Sequence, residues 1–498
     1  VDDPLTTVSG QAVNTLGAAV ANALVKVVYT ASGAQHPITT TTNISGFFSL
    51  AGVATIVGPV RVDIIGDAAG TAIKGSSAVV QTVRGGVTNV GVVLLRANVC
   101  WDGGGNGTSW HDNRNWCQDT LPGPIDDVVI SVASNPTIIH SQGDDVIQSL
   151  LSDEAFTLSG GSLKIAGSAQ VNGAFNLQGG TLISATVQPG SSGQGVSVLG
   201  SASVVSGVTL NANLSLAVNG QNVVLKARNG LTVNGTAPLG RAGDCETGRI
   251  DFEGTQILGG VGTVVFADRH NSFCNDSRFN GLRVVTAGTT LTIGPGITVR
   301  GGEGFIGYSD GVGGTSDVGV VMQGVVQASV GDAEVLLQGQ HWRTEGARVI
   351  ASVGGVYING AAMDNSGQTL SITGGSVIRF NGSAIVGGVV SGTTASRLTF
   401  INTNTLDGVD LTSLNLTLAQ QSVANAVVTV RNGLTLNGTA TLGIAGDCET
   451  GRFDFDGSQT LSGAGTGVFV DRHNSFCNDS RDIGLRVVNA GTTLTIGP

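Results

Sequence analysis

The amino-acid sequence predicts an all-β protein: an N-terminal β-sandwich followed by a long parallel β-helix, or β-solenoid. Glycine provides 78 of 498 residues and aromatic residues only 4%, a composition typical of many short strands joined by tight turns. From residue 131 onward, short apolar runs recur without helical periodicity. Residues 228–295 recur as residues 431–498, with 54 of 68 positions identical, and such repeats are typical of solenoids. A string of β-sandwich domains is the alternative architecture.

Residues 1–97 are predicted to form the β-sandwich, because apolar and polar residues alternate between turns rich in glycine and asparagine. Four segments carry a resemblance to the carboxypeptidase regulatory-like, transthyretin-type module: residues 8–13, 23–27, 42–48 and 60–64. The resemblance implies an accessory or stalk domain without catalytic activity.

Residues 98–130 are predicted to form a tryptophan-rich cap or linker. They contain Trp101, Trp110 and Trp116 in the pattern W-x-G-x-G-x-x-T-x-W-x-x-x-x-N-W, followed by L-P-G-x-x-D-x-V-x-I. This segment resembles one that introduces β-solenoid regions in large secreted bacterial surface proteins. Clustered tryptophans suit a sugar-stacking platform, but a cap over the open end of a solenoid core explains them as well, and we favour the cap.

Residues 131–295 and 296–498 are predicted to form the solenoid, with one copy of the repeat in each. The offset between the copies is 203 residues. Because a β-helix coil uses roughly 20 to 25 residues, this offset corresponds to a superrepeat of several coils.

The six cysteines form three local pairs, two of which recur with the repeat. Even, local and duplicated cysteines predict disulfides made in an oxidising compartment. A zinc site is the alternative, but no C-x2-C spacing supports it. The predicted pairs are Cys100 with Cys117, Cys245 with Cys274, and Cys448 with Cys477.

A charged strand in each copy is one candidate site. Alternation places Asp251 and Glu253 on one strand face, and Asp454 and Asp456 occupy the same positions in the second copy. Two carboxylates roughly 6.5 to 7 Å apart suit an inverting glycosidase or a calcium site. An exposed charged ladder partly neutralised by arginine is the preferred interpretation.

The sequence DRHNSFCNDSR, present in both copies, is the other candidate ligand or calcium loop. It supplies hydrogen-bonding and acidic side chains, but no recognisable nucleophile or second base. A turn fixed by its cysteine is the simpler interpretation. The candidate residues are Asp268, His270 and Asp276, with Asp471, His473 and Asp479 in the second copy.

Charge and hydropathy limit the partners. The net charge of −11 disfavours nucleic acid, and the sequence lacks an apolar run long enough to cross a bilayer. We expect an extracellular or cell-surface protein without a cofactor, apart from calcium as a candidate ligand. The leading hypothesis is a self-associating structural subunit of an extracellular filament, sheath or surface layer. The alternatives are an adhesin that contacts cell-surface glycans through a solenoid stalk, and a β-helix polysaccharide lyase or hydrolase.

Overall fold

A computed structural model describes residues 3–68, 71–216, 222–268, 279–331, 333–471 and 482–497. It is an all-β structure in which 41 strands join one long, mainly parallel sheet, and two small sheets precede it. The predicted β-solenoid is therefore confirmed. The chain divides into two compact units, residues 1–176 with 180–194, and residues 177–179 with 195–498.

The first unit begins with a sandwich of two sheets, ordered β4-β1-β7 and β3-β2-β5-β6. Val25 faces Ile64 and Val27 faces Val62 across the antiparallel pair β2–β5. These four side chains are buried in a core shared by both sheets, as the alternating pattern predicts. The strands are β1 Thr6–Asn14, β2 Leu24–Tyr29, β3 Thr40–Thr41, β4 Phe47–Val53, β5 Val60–Ala68, β6 Thr71–Ser76 and β7 Val87–Leu95.

The same unit continues into residues 98–130, the predicted cap, and into the first solenoid coils. Each coil strand pairs in parallel with the third strand after it, as Thr137 of β10 does with Ala155 of β13. These coils are shorter than predicted because their strands and the turns between them are short. Two 3-10 turns, Asn113–Asn115 and Cys117–Asp119, lie in the cap. The strands are β8 Val99–Cys100, β9 Asp127–Ile130, β10 Thr137–His140, β11 Asp144–Ile147, β12 Ser149–Ser152, β13 Ala155–Leu158, β14 Ser162–Ile165, β15 Ser168–Val171, β16 Phe175–Leu177, β17 Thr181–Ile183 and β18 Thr186–Gln188.

The second unit contains the remaining coils and both copies of the repeat. Its early and middle strands are β19 Val196–Val198, β20 Val204–Leu210, β21 Leu214–Leu216, β22 Val223–Val233, β23 Thr236–Leu239, β24 Gly248–Phe252, β25 Gln256–Gly259, β26 Thr263–Phe266, β27 Gly281–Val284, β28 Thr290–Ile293, β29 Thr298–Gly301, β30 Gly304–Gly307, β31 Gly319–Met322, β32 Val325–Ala328, β33 Glu334–Gln338 and β34 His341–Thr344. Its later strands are β35 Arg348–Ala351, β36 Gly355–Asn359, β37 Ala362–Asp364, β38 Thr369–Thr373, β39 Val377–Asn381, β40 Ala384–Val386, β41 Val389–Ser391, β42 Arg397–Leu418, β43 Ala426–Leu442, β44 Gly451–Phe455, β45 Gln459–Ser462, β46 Thr466–Phe469, β47 Gly484–Val487 and β48 Leu494–Ile496.

Coil length in this unit varies with the connecting loops. Thr405 faces Thr429 on the next coil, a spacing within the predicted range. Arg249 faces Gly281, and this coil is longer because it includes the DRHNSFCNDSR segment. Most strands of the two copies correspond, as β24 Gly248–Phe252 and β44 Gly451–Phe455 illustrate, but β22 and β23 of the first copy are continuous as β43 in the second.

Tight stacking requires glycine at some coil corners. Gly301 has φ +137°, and a Cβ atom there would lie 2.1 Å from the carbonyl oxygen of Phe266 on the preceding coil. Asparagine side chains also bond from coil to coil. Asn402 donates to Asn381 at 2.8 Å and Asn381 donates to Asn359 at 2.9 Å. Such side-chain ladders keep successive coils in register.

Candidate functional site

The first charged strand pairs its carboxylates with arginines from three coils. Ile250 and Phe252 of β24 are buried in the solenoid core. Asp251, on the opposite face, is only 7% exposed and accepts a 2.6 Å hydrogen bond from Nε of Arg249. Nη1 of Arg283, on the next coil, lies 3.5 Å from the Asp251 carboxylate. The negative charge of Asp251 is therefore balanced by Arg249 on its own strand and Arg283 on the next coil.

The second copy repeats the arrangement. Asp454 is 5% exposed and accepts hydrogen bonds from Nε of Arg452 at 2.9 Å and from Nε of Arg486 at 2.8 Å. Both members of the duplicated pair are thus held by one arginine on their own strand and one on the following coil.

The outer carboxylates also pair with the preceding coil. Glu253 accepts from Nε of Arg228 at 2.6 Å, and Asp456 accepts from Nε of Arg431 at 3.0 Å. Asn489 donates a 2.7 Å hydrogen bond to Asp456, and this bond, together with Arg431, lowers the pKa of Asp456. The geometry fits the charged ladder, while calcium binding or catalysis at these residues stays a prediction.

In each DRHNSFCNDSR loop, only the first residue, Asp268 or Asp471, lies within the described residues. In each copy, the glycine that opens the sequence GDCETGR donates a backbone hydrogen bond to the carbonyl of the loop aspartate: Gly243 to Asp268 at 2.8 Å, and Gly446 to Asp471 at 3.0 Å. Cys245 and Cys448 are both disulfide-bonded. The other predicted loop residues lie outside the described residues: His270, Cys274, Asp276, His473, Cys477 and Asp479.

The predicted Cys100–Cys117 disulfide is confirmed, with the Cα atoms 5.4 Å apart. It closes the tryptophan-rich segment around Asn115, whose side chain is fully buried. The Asn115 oxygen accepts from the backbone N–H groups of Gly105 and Gly107, at 3.0 and 2.8 Å. The asparagine of the N-W pattern therefore organises the glycine-rich loop.

All three tryptophans of this segment are packed inside rather than displayed. Trp101 is 3% exposed, and Trp110 and Trp116 are fully buried. The Trp110 ring lies edge-on against Trp116 and against Phe156 of the coil core, with centroids 4.7 and 5.8 Å apart. Rings buried in this way fit a cap over the core and leave no face for stacking on sugars.

Two histidines and one aspartate converge beside this cap. His111 follows Trp110, His140 ends β10 and Asp145 lies on β11. Oδ2 of Asp145 lies 2.7 Å from Nε2 of His111 and 2.8 Å from Nε2 of His140. Burial alone would raise the pKa of Asp145, but the hydrogen bonds and charges of His140 and His111 outweigh it and hold this pKa below its ordinary value. Asp145 is thus an ionised carboxylate at neutral pH.

The cluster was not predicted from the sequence. His111 and His140 are well separated along the chain, and no short metal or catalytic motif links them to Asp145. Pairing of the cap with β10 brings them together: the backbone N–H of Trp110 donates to the carbonyl of Ile139 at 2.9 Å, and the backbone N–H of Ile139 donates to the carbonyl of Thr108 at 2.8 Å. The only hint in the sequence was that two of the six histidines, His111 and His140, lie within or near the tryptophan motif.

No protein-family model matches the chain, and no curated protein matches it. Among the described residues, no helix is long and apolar enough to cross a membrane.

Proposed function

We propose that this chain is a secreted structural protein that associates with copies of itself as a subunit of an extracellular filament, sheath or surface layer. The observation that carries the proposal is the apolar surface of the N-terminal sandwich. Among the described residues, 13 of the 26 exposed large apolar side chains belong to residues 3–97. Residues 98–458 contribute eight and residues 459–497 the other five, so the sandwich holds the largest share and is our candidate for an association surface.

Three of these exposed apolar residues surround Gln11 on one sheet and its adjoining turn. On the sheet β4-β1-β7, Gln11 pairs with Phe47 on one side and with Val92 on the other. Phe47 is 52% exposed and Val92 is 64% exposed. Ile44, almost fully exposed, lies on the turn whose Ser45 carbonyl accepts from Gln11 at 3.0 Å. We name Ile44, Phe47 and Val92 the sandwich patch.

The low uncompensated charge of the solenoid surface is compatible with close packing of many copies in an assembly. Lysine occurs four times in the chain, and the repeat carboxylates described above are matched by arginines, which limits electrostatic repulsion between neighbouring copies. Disulfides favour an oxidising, extracellular or cell-surface location. The resemblances to a transthyretin-type module and to solenoids of secreted bacterial surface proteins agree with this role.

The adhesin and glycan-active enzyme remain the alternative proposals. Neither is favoured by a described feature, because the cap tryptophans are buried and Asp251, Glu253, Asp454 and Asp456 are held by arginine. A glycan-binding or glycan-cleavage assay on the wild-type protein would supply the missing support for either one.

The patch can be tested with matched variants. Sedimentation velocity over a range of concentrations should detect large assemblies of the wild-type protein. The double variant Phe47→Ser/Val92→Ser should shift them to monomer, because each change removes exposed apolar area. Val261→Ser is the control, since Val261 is 76% exposed on the solenoid. A monomeric wild-type protein at every concentration would refute self-association, and unchanged assembly of the double variant would refute the patch.

A further inference from the structure

We propose that His111, His140 and Asp145 form a binding site for a divalent transition-metal ion, with Zn²⁺ as the probe, and that the bound ion fastens the tryptophan cap to the first solenoid coils. The site is independent of self-association. It would make the ion a structural clamp at the start of the solenoid.

The donor atoms meet the first requirement for such a site. One ligand atom from each residue lies within 4.8 Å of the other two. Imidazole nitrogen and carboxylate oxygen are standard zinc ligands, and two histidines with one carboxylate leave a fourth position for water. His111 and Asp145 keep 15% and 18% of their side chains exposed, which gives an ion a path from solvent.

His140 is oriented as a metal ligand. Its ring is fully buried, and Nδ1 lies 3.0 Å from the carbonyl oxygen of Gly160. A carbonyl can only accept, so Nδ1 carries a proton, and Nε2, which faces Asp145, is the ring nitrogen available to bind an ion. Metal-binding histidines are commonly held in this way by a second hydrogen bond.

The lone pair of His140 and the carboxylate of Asp145 need a positive charge between them. Nε2 and Oδ2 are 2.8 Å apart, and two lone pairs facing each other at this distance repel. Either a second imidazole proton or a metal ion removes this repulsion. An ion also engages His111, whose Nε2 approaches the same oxygen at 2.7 Å, so it satisfies all three groups together.

The backbone leaves room beside the ligands. Gly143, at φ +75°, lies so close that a Cβ atom would be 2.8 Å from Nε2 of His111. His111 is the least constrained ligand, since its buried Nδ1 has no hydrogen-bond partner among the described residues. We therefore expect His140 and Asp145 to dominate affinity and His111 to contribute less.

Zinc titration of the chelator-treated full-length protein at pH 7.5, followed by calorimetry, tests the proposal. The variants His140→Gln and Asp145→Asn should bind one equivalent of Zn²⁺ fewer than wild type. His111→Gln removes one of the three proposed ligands and should weaken Zn²⁺ binding, but less than His140→Gln or Asp145→Asn. The control is His341→Gln, because His341 contacts Asp317 at 2.9 Å and no second histidine among the described residues joins this pair, and it should bind like wild type.

Two further measurements keep the result decisive. Circular dichroism identifies variants that fail to fold. For those variants, the Co²⁺ absorption spectrum of the wild-type protein replaces the comparison of zinc binding. Intense visible bands, typical of tetrahedral Co²⁺ with nitrogen ligands, would support the site. Equal zinc stoichiometry and affinity in wild type, His140→Gln and Asp145→Asn would overturn the proposal. So would a wild-type protein that binds neither Zn²⁺ nor Co²⁺, because the cluster would then be an imidazolium–carboxylate hydrogen bond alone.

Discussion

The two copies of the repeat have nearly the same sequence and closely corresponding strands, yet they differ in burial. Phe266 of the first copy is 1% exposed, whereas its counterpart Phe469 is 56% exposed. Ile293 is fully buried, whereas Ile496 is 68% exposed. Identical side chains therefore have opposite environments within one solenoid.

The following coil causes the difference. In the first copy, β26 pairs with β29, β27 with β30, and β28 with β31. In the second copy, no described strand lies beyond β46, β47 and β48. Burial in a solenoid is thus given by the next coil, and the repeat sequence alone does not determine it.

The largest expected effect separates the copies at one position. Phe266→Ala should reduce the local stability of its coil by about 3 to 5 kcal/mol, the usual cost for a buried phenylalanine. In the chain of residues 1–498, Phe469→Ala should cost less, because this residue is 56% exposed. Hydrogen exchange of peptides from the affected coils measures both changes.

A second phenylalanine pair controls this test. Phe252 and Phe455 are both fully buried, so Phe252→Ala and Phe455→Ala should have similar costs. Equal effects at Phe266 and Phe469 would mean that another surface covers the second copy in solution.

The cysteines should instead behave alike in both copies. Cys245→Ser and Cys448→Ser each open a predicted disulfide loop of the same length, and the chain-entropy estimate for such a loop is roughly 3 kcal/mol. Non-reducing peptide mapping should recover Cys245 with Cys274 and Cys448 with Cys477. A disulfide between the copies would contradict equivalent folding of the repeats.

The inner aspartates should give an intermediate effect that is larger in the first copy. Asp251→Asn and Asp454→Asn each remove a buried charge from two arginines, and such losses cost roughly 1 to 3 kcal/mol. Arg283 is 16% exposed and Arg486 is 54% exposed, so water replaces the lost partner more readily in the second copy. Hydrogen exchange on the two coils compares them, and a polysaccharide-cleavage assay would detect a catalytic role if activity fell with either change.

The smallest expected effect concerns a position where the copies differ. Asn489, which donates to Asp456, is replaced by Thr286 in the first copy. This bond lowers the pKa of Asp456. The Asn489–Asp456 pair therefore stabilises the folded state at pH values above the ordinary pKa of 3.8, and this contribution is lost as the pH falls through the lowered pKa. Asn489→Thr should raise this pKa toward 3.8, as measured by NMR titration of the carboxyl carbon. An unchanged pKa would show that Arg431 alone sets it.

The sequence predicted the features that depend on local pattern. Alternation in residues 60–64 gave the sandwich strand β5, and the recurring glycines and short apolar runs gave the solenoid. The pairing of Asp251 with Arg283 and the cluster of His111, His140 and Asp145 could not be predicted, because both depend on which coil stacks on which. The exposure of Phe469 was missed for the same reason, since its sequence matches that of a buried residue.

Negative-stain electron microscopy of the purified full-length protein tests the structural role most directly. A subunit that associates through its sandwich patch should form filaments or sheets at high concentration, and the double variant Phe47→Ser/Val92→Ser should give single particles. Monodisperse wild-type particles under all conditions would contradict the proposed function.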